Sequence, residues 1–131
     1  MPASAERTAV AWLKSLPAVV SAGAGVATRL PADPTFPFIV VQEIGGGDTL
    51  IQPVDKPYIQ IDVYDDDWDK STADDLALAI VGAFKTRLNV TIPAEGVTVL
   101  MVEWVAKRAV PEPGTGWTRF AIDSLWTNRE D

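Results

Sequence analysis

Apolar and polar positions along this chain follow a helical period, then a strand period, then each in turn again. Ala9, Trp12, Leu13 and Leu16 recur at helical spacing behind Ser4, a residue suited to capping a first turn, and Pro17 marks the expected end. A first helix is therefore predicted over roughly 4–16. The small-residue stretch Ser21-Ala22-Gly23-Ala24-Gly25 is too rich in glycine for a stable helix interior and is read as a turn into a short strand around Val26–Leu30. Pro31, Pro34 and Pro37 then keep the chain extended.

Phe38 to Ile44 is an apolar run rich in β-branched residues, bounded by Pro37 and by Gly45-Gly46-Gly47, which predicts a largely buried strand. Gly45 to Pro57 is dense in Gly, Pro and Asp and reads as a long connection between paired strands, a kind of loop that is usually functional or disordered. Ile59, Ile61 and Val63 alternate with Gln60, Asp62 and Tyr64, so the next strand has one face in the core and one face out. After Asp65-Asp66-Asp67-Trp68-Asp69, either Asp69 or Ser71 is placed to cap a helix. Its apolar stripe is Leu76, Ile80, Phe84 and Leu88, with Ala77 and Val81 beside it. Val97–Ala109 and Trp117–Thr127 read as two strands of a hairpin, turned by Pro111-Glu112-Pro113-Gly114-Thr115-Gly116, with Phe120, Ile122 and Trp126 on the core side. The elements predict an α+β fold: a mostly antiparallel sheet of about four to five strands with two helices packed on one face.

Composition narrows the chemistry. The 131 residues suit one domain, and a hydrophobic content of 47% is enough for a core. With no His and no Cys, the usual zinc sites, disulfides and thiol or imidazole catalysis are all excluded. No apolar stretch approaches the roughly 20 residues needed to cross a bilayer, and the N-terminus lacks a basic region ahead of an apolar one. A product made in the cytoplasm, without a membrane partner, is the expectation. The net charge of −7 opposes tight binding to nucleic acid, because such binding draws on clustered Lys and Arg, and only Lys107-Arg108 are adjacent here. An acidic surface fits either plain solubility or a wall that nucleic acid must pass without sticking.

The candidate chemical motifs are weak. Gly45-Gly46-Gly47 follows a strand, yet no helix starts after it and no Gly-Lys-Ser/Thr occurs, so a turning connection is favoured over a phosphate loop. Asp65, Asp66, Asp67 and Asp69 lack the spacing of a calcium loop. Asp62 with Asp123 is a carboxylate pair of the kind any acidic chain offers, and no Ser-x-x-Lys or Gly-x-Ser-x-Gly occurs. No catalytic, cofactor or metal site is expected. Of the five Trp, Trp12 and Trp126 fall on core positions, whereas Trp68, Trp104 and Trp117 fall near turns or on alternate faces, where an exposed aromatic suits a protein interface.

Taken together, these elements resemble the tail terminator, or tail completion, proteins of long-tailed bacteriophages. The resemblance is carried by the leading helix ending near Leu16, by Pro37-Phe38-Ile39-Val40-Val41 running into Gly45-Gly46, and by Ile59-Gln60-Ile61-Asp62-Val63-Tyr64. The helix from about Ser71 to Leu88 and the closing Trp- and Arg-bearing hairpin complete it, so it covers almost the whole chain. It implies a structural, ring-forming subunit, commonly a homohexamer, at the head-proximal end of the tail tube in the virion. Such a ring halts tube polymerisation and docks the head. The implied partners are further copies of the chain, the tail tube protein and head–tail connector proteins, with duplex DNA passing through the lumen unbound. On this reading Gly45, Gly46, Gly47, Asp48, Leu50, Trp68 and Trp117 are candidates for a subunit or tube interface. Asp65, Asp66, Asp67 and Asp69 are candidates for an acidic lumen or a charged subunit contact. Rival readings are a head–tail adaptor or neck protein of the same particle, a small acidic enzyme, and a monomeric binding module.

Overall fold

The computed structural model describes residues 4–48, 54–66, 71–84, 88–110 and 116–131. In chain order these form α1 (Ala5–Lys14), α2 (Pro17–Ala22), β1 (Gly25–Ala27), β2 (Phe38–Asp48), β3 (Val54–Asp65), α3 (Ser71–Ala83), β4 (Val90–Ile92), a 3-10 turn (Pro93–Glu95), β5 (Val97–Val110) and β6 (Thr118–Glu130). The strands make one sheet in the order β1-β2-β3-β6-β5-β4. β1 runs parallel to β2, and every other neighbouring pair is antiparallel. The architecture is thus α+β, as the pattern predicts, but the sheet is mixed and has six strands.

All three described helices cover one face. Trp12 and Leu13 of α1, Val19 of α2, and Ala73, Leu76, Ala77 and Ile80 of α3 join Ile39, Val41, Ile59, Ile61, Val63, Phe120, Ile122 and Trp126 in a single buried cluster. Trp12 meets Trp126 edge-on at 5.3 Å between ring centroids and Phe84 at 5.8 Å. Trp126 also needs a polar partner for its indole N–H, and Nε1 donates to Ser124 Oγ at 2.9 Å while Ser124 Oγ donates to the Ile59 carbonyl. The Phe120, Ile122 and Trp126 alternation thus places its residues on the core side.

Several expected boundaries differ. Pro17 does not end the helical region: after the Ser15 C-cap of α1 it opens α2, where its missing N–H costs nothing at the first helical position. Gly23 closes α2 at φ 66°, a left-handed conformation that glycine adopts without a Cβ penalty. β1 is shorter and earlier than Val26–Leu30. The predicted long loop from Gly45 to Pro57 is mostly ladder: Gly45 pairs with Tyr58, Gly46 with Pro57, Gly47 with Lys56 and Asp48 with Asp55. The glycines follow a bulge at Ile44, between the pairs of Glu43 and Gly45, and a bulge lets the strand resume its pairing after one extra residue. α3 stops at Ala83 rather than Leu88, because the Leu88 N–H is taken by the Leu100 carbonyl at 2.9 Å and joins β5.

The short outer strands leave long edges. β1 covers β2 only at Phe38–Val40, and β4 covers β5 only at Val97–Val99. Beyond those points, among the described residues, no strand pairs with the outer edge of β2 from Val41 to Asp48 or of β5 from Met101 to Val110.

Candidate assembly surfaces

The helix-free face of the sheet begins at a small apolar corner where Phe38, Val40 and Tyr64 bury one another, flanked by Ala27, Leu30, Phe36 and Trp117. Next to it, period-2 alternation sends Asp62 away from the core, yet Asp62 is only 1% exposed. Arg119 of β6 lies over it, donating from Nη2 to Asp62 Oδ2 at 3.2 Å with its guanidinium 5.5 Å from the Tyr64 ring. Gln60 Nε2 donates to the same carboxylate at 3.1 and 3.2 Å. One strand further, Arg108 of β5 pairs with Asp123 of β6. A buried charge is tolerable only when paired and hydrogen-bonded, and Asp62 and Asp123 each have an arginine beside them. The carboxylate pair considered from the sequence is therefore two neutralised ion pairs, not two acids converging on a substrate.

The candidate residues separate to opposite ends of the sheet. Trp117, Asp65 and Asp66 lie together where β3 ends and β6 begins, with Asp65 opposite Thr118. Gly45, Gly46, Gly47 and Asp48 lie at the far end of β2. Leu50, Asp67, Trp68 and Asp69 fall outside the described residues. Trp117 is half-buried and stacks edge-on against Phe36 at 4.9 Å, so part of its ring surface is spent within the chain. Asp65 is 5% exposed, which removes it as an acid offered to a lumen; it lies within the strand ladder, whereas Asp66 is exposed.

Of the exposed apolar residues on the strand edges, the sequence offers Trp104 as a possible interface aromatic and gives Ile44 and Val105 no such role. Trp104 is 55% exposed, Val105 50% and Ile44 48%, and all three sit on the open strand edges. Ile44 and Val105 are the extra residues of the two bulges, between Glu43 and Gly45 and between Trp104 and Ala106. Ile44 was missed because its strand, Phe38 to Ile44, reads as largely buried from its apolar run.

One shallow groove of about 430 Å³ runs between α1 and β1, lined by Arg7, Val10, Lys14 and Val26 among others. Another of about 350 Å³ lies between α2 and α3 and is lined mainly by small residues. Neither gathers acids. Among the described residues no cluster of three or more Asp or Glu is arranged to hold a metal ion, and no helix is long and apolar enough to cross a membrane.

An α+β subunit with two open sheet edges, exposed apolar side chains on them and neutralised acids between them is a structural component. The comparisons agree with that class. Residues 9–127 match the family model described as "Tail completion protein gp17", and the chain belongs to that family. The family is structural, and the protein is not an enzyme. Among solved structures the chain is similar to one in the "Virion of native gene transfer agent (GTA) particle", with a TM-score of 0.71 and 13% identity, over 95% of this chain and 98% of that one. At that identity the likeness establishes a shared fold. No curated protein matches the chain.

Proposed function

We propose that this protein is the tail terminator of a phage-like particle: a ring, in the expected form a homohexamer, that caps the head-proximal end of the tail tube, stops its growth and offers the docking surface for the head. The observation that carries this reading is the family match across residues 9–127, nearly the whole chain. The likeness to a chain from a virion of a gene transfer agent supports it, since both chains are covered almost end to end. The net charge of −7 suits a lumen through which duplex DNA slides, because an acidic wall repels the phosphate backbone. Exposed Asp66, together with Asp67 and Asp69, remains the candidate lumen segment. The partners are further copies of the chain, the tube protein below and connector proteins above.

Negative-stain electron microscopy of the purified protein, alone and mixed with tail tubes, tests this. The expected result is closed rings with a DNA-sized hole, seated on one end of each tube. Rings that bind isolated heads and ignore tubes would instead assign the protein to the neck. A monomer at every concentration that leaves tube ends bare would contradict both.

A further inference from the structure

The geometry points to an antiparallel pairing between the outer edge of β5 in one copy and the outer edge of β2 in the next, with the bulges of the two edges at neighbouring positions, as the contact that joins subunits. This rests on the ring reading and names the surface that reading lacks. Antiparallel steps connect β2, β3, β6 and β5, so β2 and β5 run in opposite directions. A second copy in the same orientation therefore brings its β2 antiparallel to the first copy's β5, and the alternation of the sheet continues across the junction. The two edges lie on opposite sides of one sheet, which makes the contact head-to-tail and allows it to close into a ring.

The side chains favour one register. Side chains directly opposite each other must lie on the same face of the combined sheet. Glu43 pairs with core-facing Ile59, and Lys107 pairs with core-facing Ile122, so both belong to the helix-covered face. Setting Glu43 opposite Lys107 also brings the two bulges within one pair of each other: exposed Ile44 lies next to the Glu43–Lys107 pair and exposed Val105 one pair further along, so the two are diagonal neighbours. Gly45 then falls opposite Ala106 and Gly46 opposite Trp104. A strand glycine facing a tryptophan leaves room for the indole to lie across it. Charge agrees: residues 41–48 contain Glu43 and Asp48 and no basic residue, net −2, whereas residues 101–110 contain Glu103, Lys107 and Arg108, net +1. Trp104, Val105 and Ile44 are nonetheless exposed apolar side chains on these edges, and pairing buries them. The Glu43 N–H is held by Glu6 Oε2 at 3.0 Å in the single chain, a bond that a docking strand displaces or shares.

The chain has no cysteine, so introduced ones are unique. Within one copy, Ile44 and Val105 are separated by three strand spacings, about 14 Å, too far for a disulfide. Any bond formed by the double variant Ile44→Cys/Val105→Cys is therefore between copies. Mild oxidation of this variant, with and without tail tubes, is expected to give a ladder of covalent oligomers on denaturing gels, ending at the ring. Each single variant is expected to give none. Lys107 is already ion-paired with Asp74 of α3 within the chain, so the second arm alters the other edge: Glu43→Lys, which sets like charges opposite each other across the junction, is expected to reduce assembly at least tenfold, and unchanged assembly would overturn this register. Rings visible by microscopy in the double-cysteine sample without a ladder would overturn this pairing and leave the ring intact. A covalent dimer from Val105→Cys alone would overturn it in favour of a two-fold contact. Absence of both rings and ladder, in solution and on tubes, would overturn the pairing together with the ring reading.

Discussion

At the scale of single residues, the buried ion pair on the helix-free face is the most exacting feature. Removing one partner of a buried pair strands the other, at a cost of about 3–5 kcal/mol when both are fully buried. The Asp62 side chain is 2% exposed but Arg119 is 23% exposed, so water recovers part of the arginine's loss. Asp62→Ala is expected to lower unfolding free energy by about 2–3 kcal/mol, read from the urea midpoint; a change under about 0.5 kcal/mol would show that the pair adds nothing. Ser124→Ala removes both the acceptor for the Trp126 indole and the donor to the Ile59 carbonyl, and is expected to cost about 1–3 kcal/mol by the same measurement. The sequence alternation correctly turned Asp62 away from the core. Its burial was not legible, because the residue that covers it lies 57 positions later and becomes a neighbour only through the β3–β6 register.

Among the elements, the edge strand β1 and helix α3 contain glycines that answer differently to a methyl group. A Cβ on Gly25 would collide with the ring of Phe38, which is held in the small apolar corner with Val40 and Tyr64. Gly25→Ala is expected to destabilise by about 1–3 kcal/mol through this overpacking. In α3, a Cβ on Gly82 meets nothing within 4 Å. Gly82→Ala is expected to stabilise by about 0.5–1 kcal/mol, since alanine loses less backbone entropy in a helix. Thermal melts of the two variants should move in opposite directions; equal shifts would contradict the packing described. The long strongly patterned elements, α1, β3 and the β5–β6 hairpin, were legible because their apolar periods run for many residues. α2 was not, because a proline reads as a stop from one side and as a first helical residue from the other. β4 is three residues long, too short to show any period, and the Gly45–Asp48 ladder was hidden by glycines that normally mark a loop.

For the whole molecule, the sum of elements in order was enough to suggest the family, and the match over residues 9–127 places the chain in it. The assembly surface was not visible at that level. It depends on how far β1 and β4 extend, and each pairs over only three residues, so that among the described residues no strand pairs with the rest of the outer edges of β2 and β5. The described candidate residues fell at opposite ends of the sheet, and Ile44, at the end of a strand read as largely buried, is 48% exposed. The central claim is that this protein stops tube growth, and the most direct test is the distribution of tail lengths in particles assembled without it. Tubes of uncontrolled, extended length lacking heads are expected, with uniform length and head attachment restored when the protein is supplied. Tails of normal, uniform length joined to heads in its absence would contradict it.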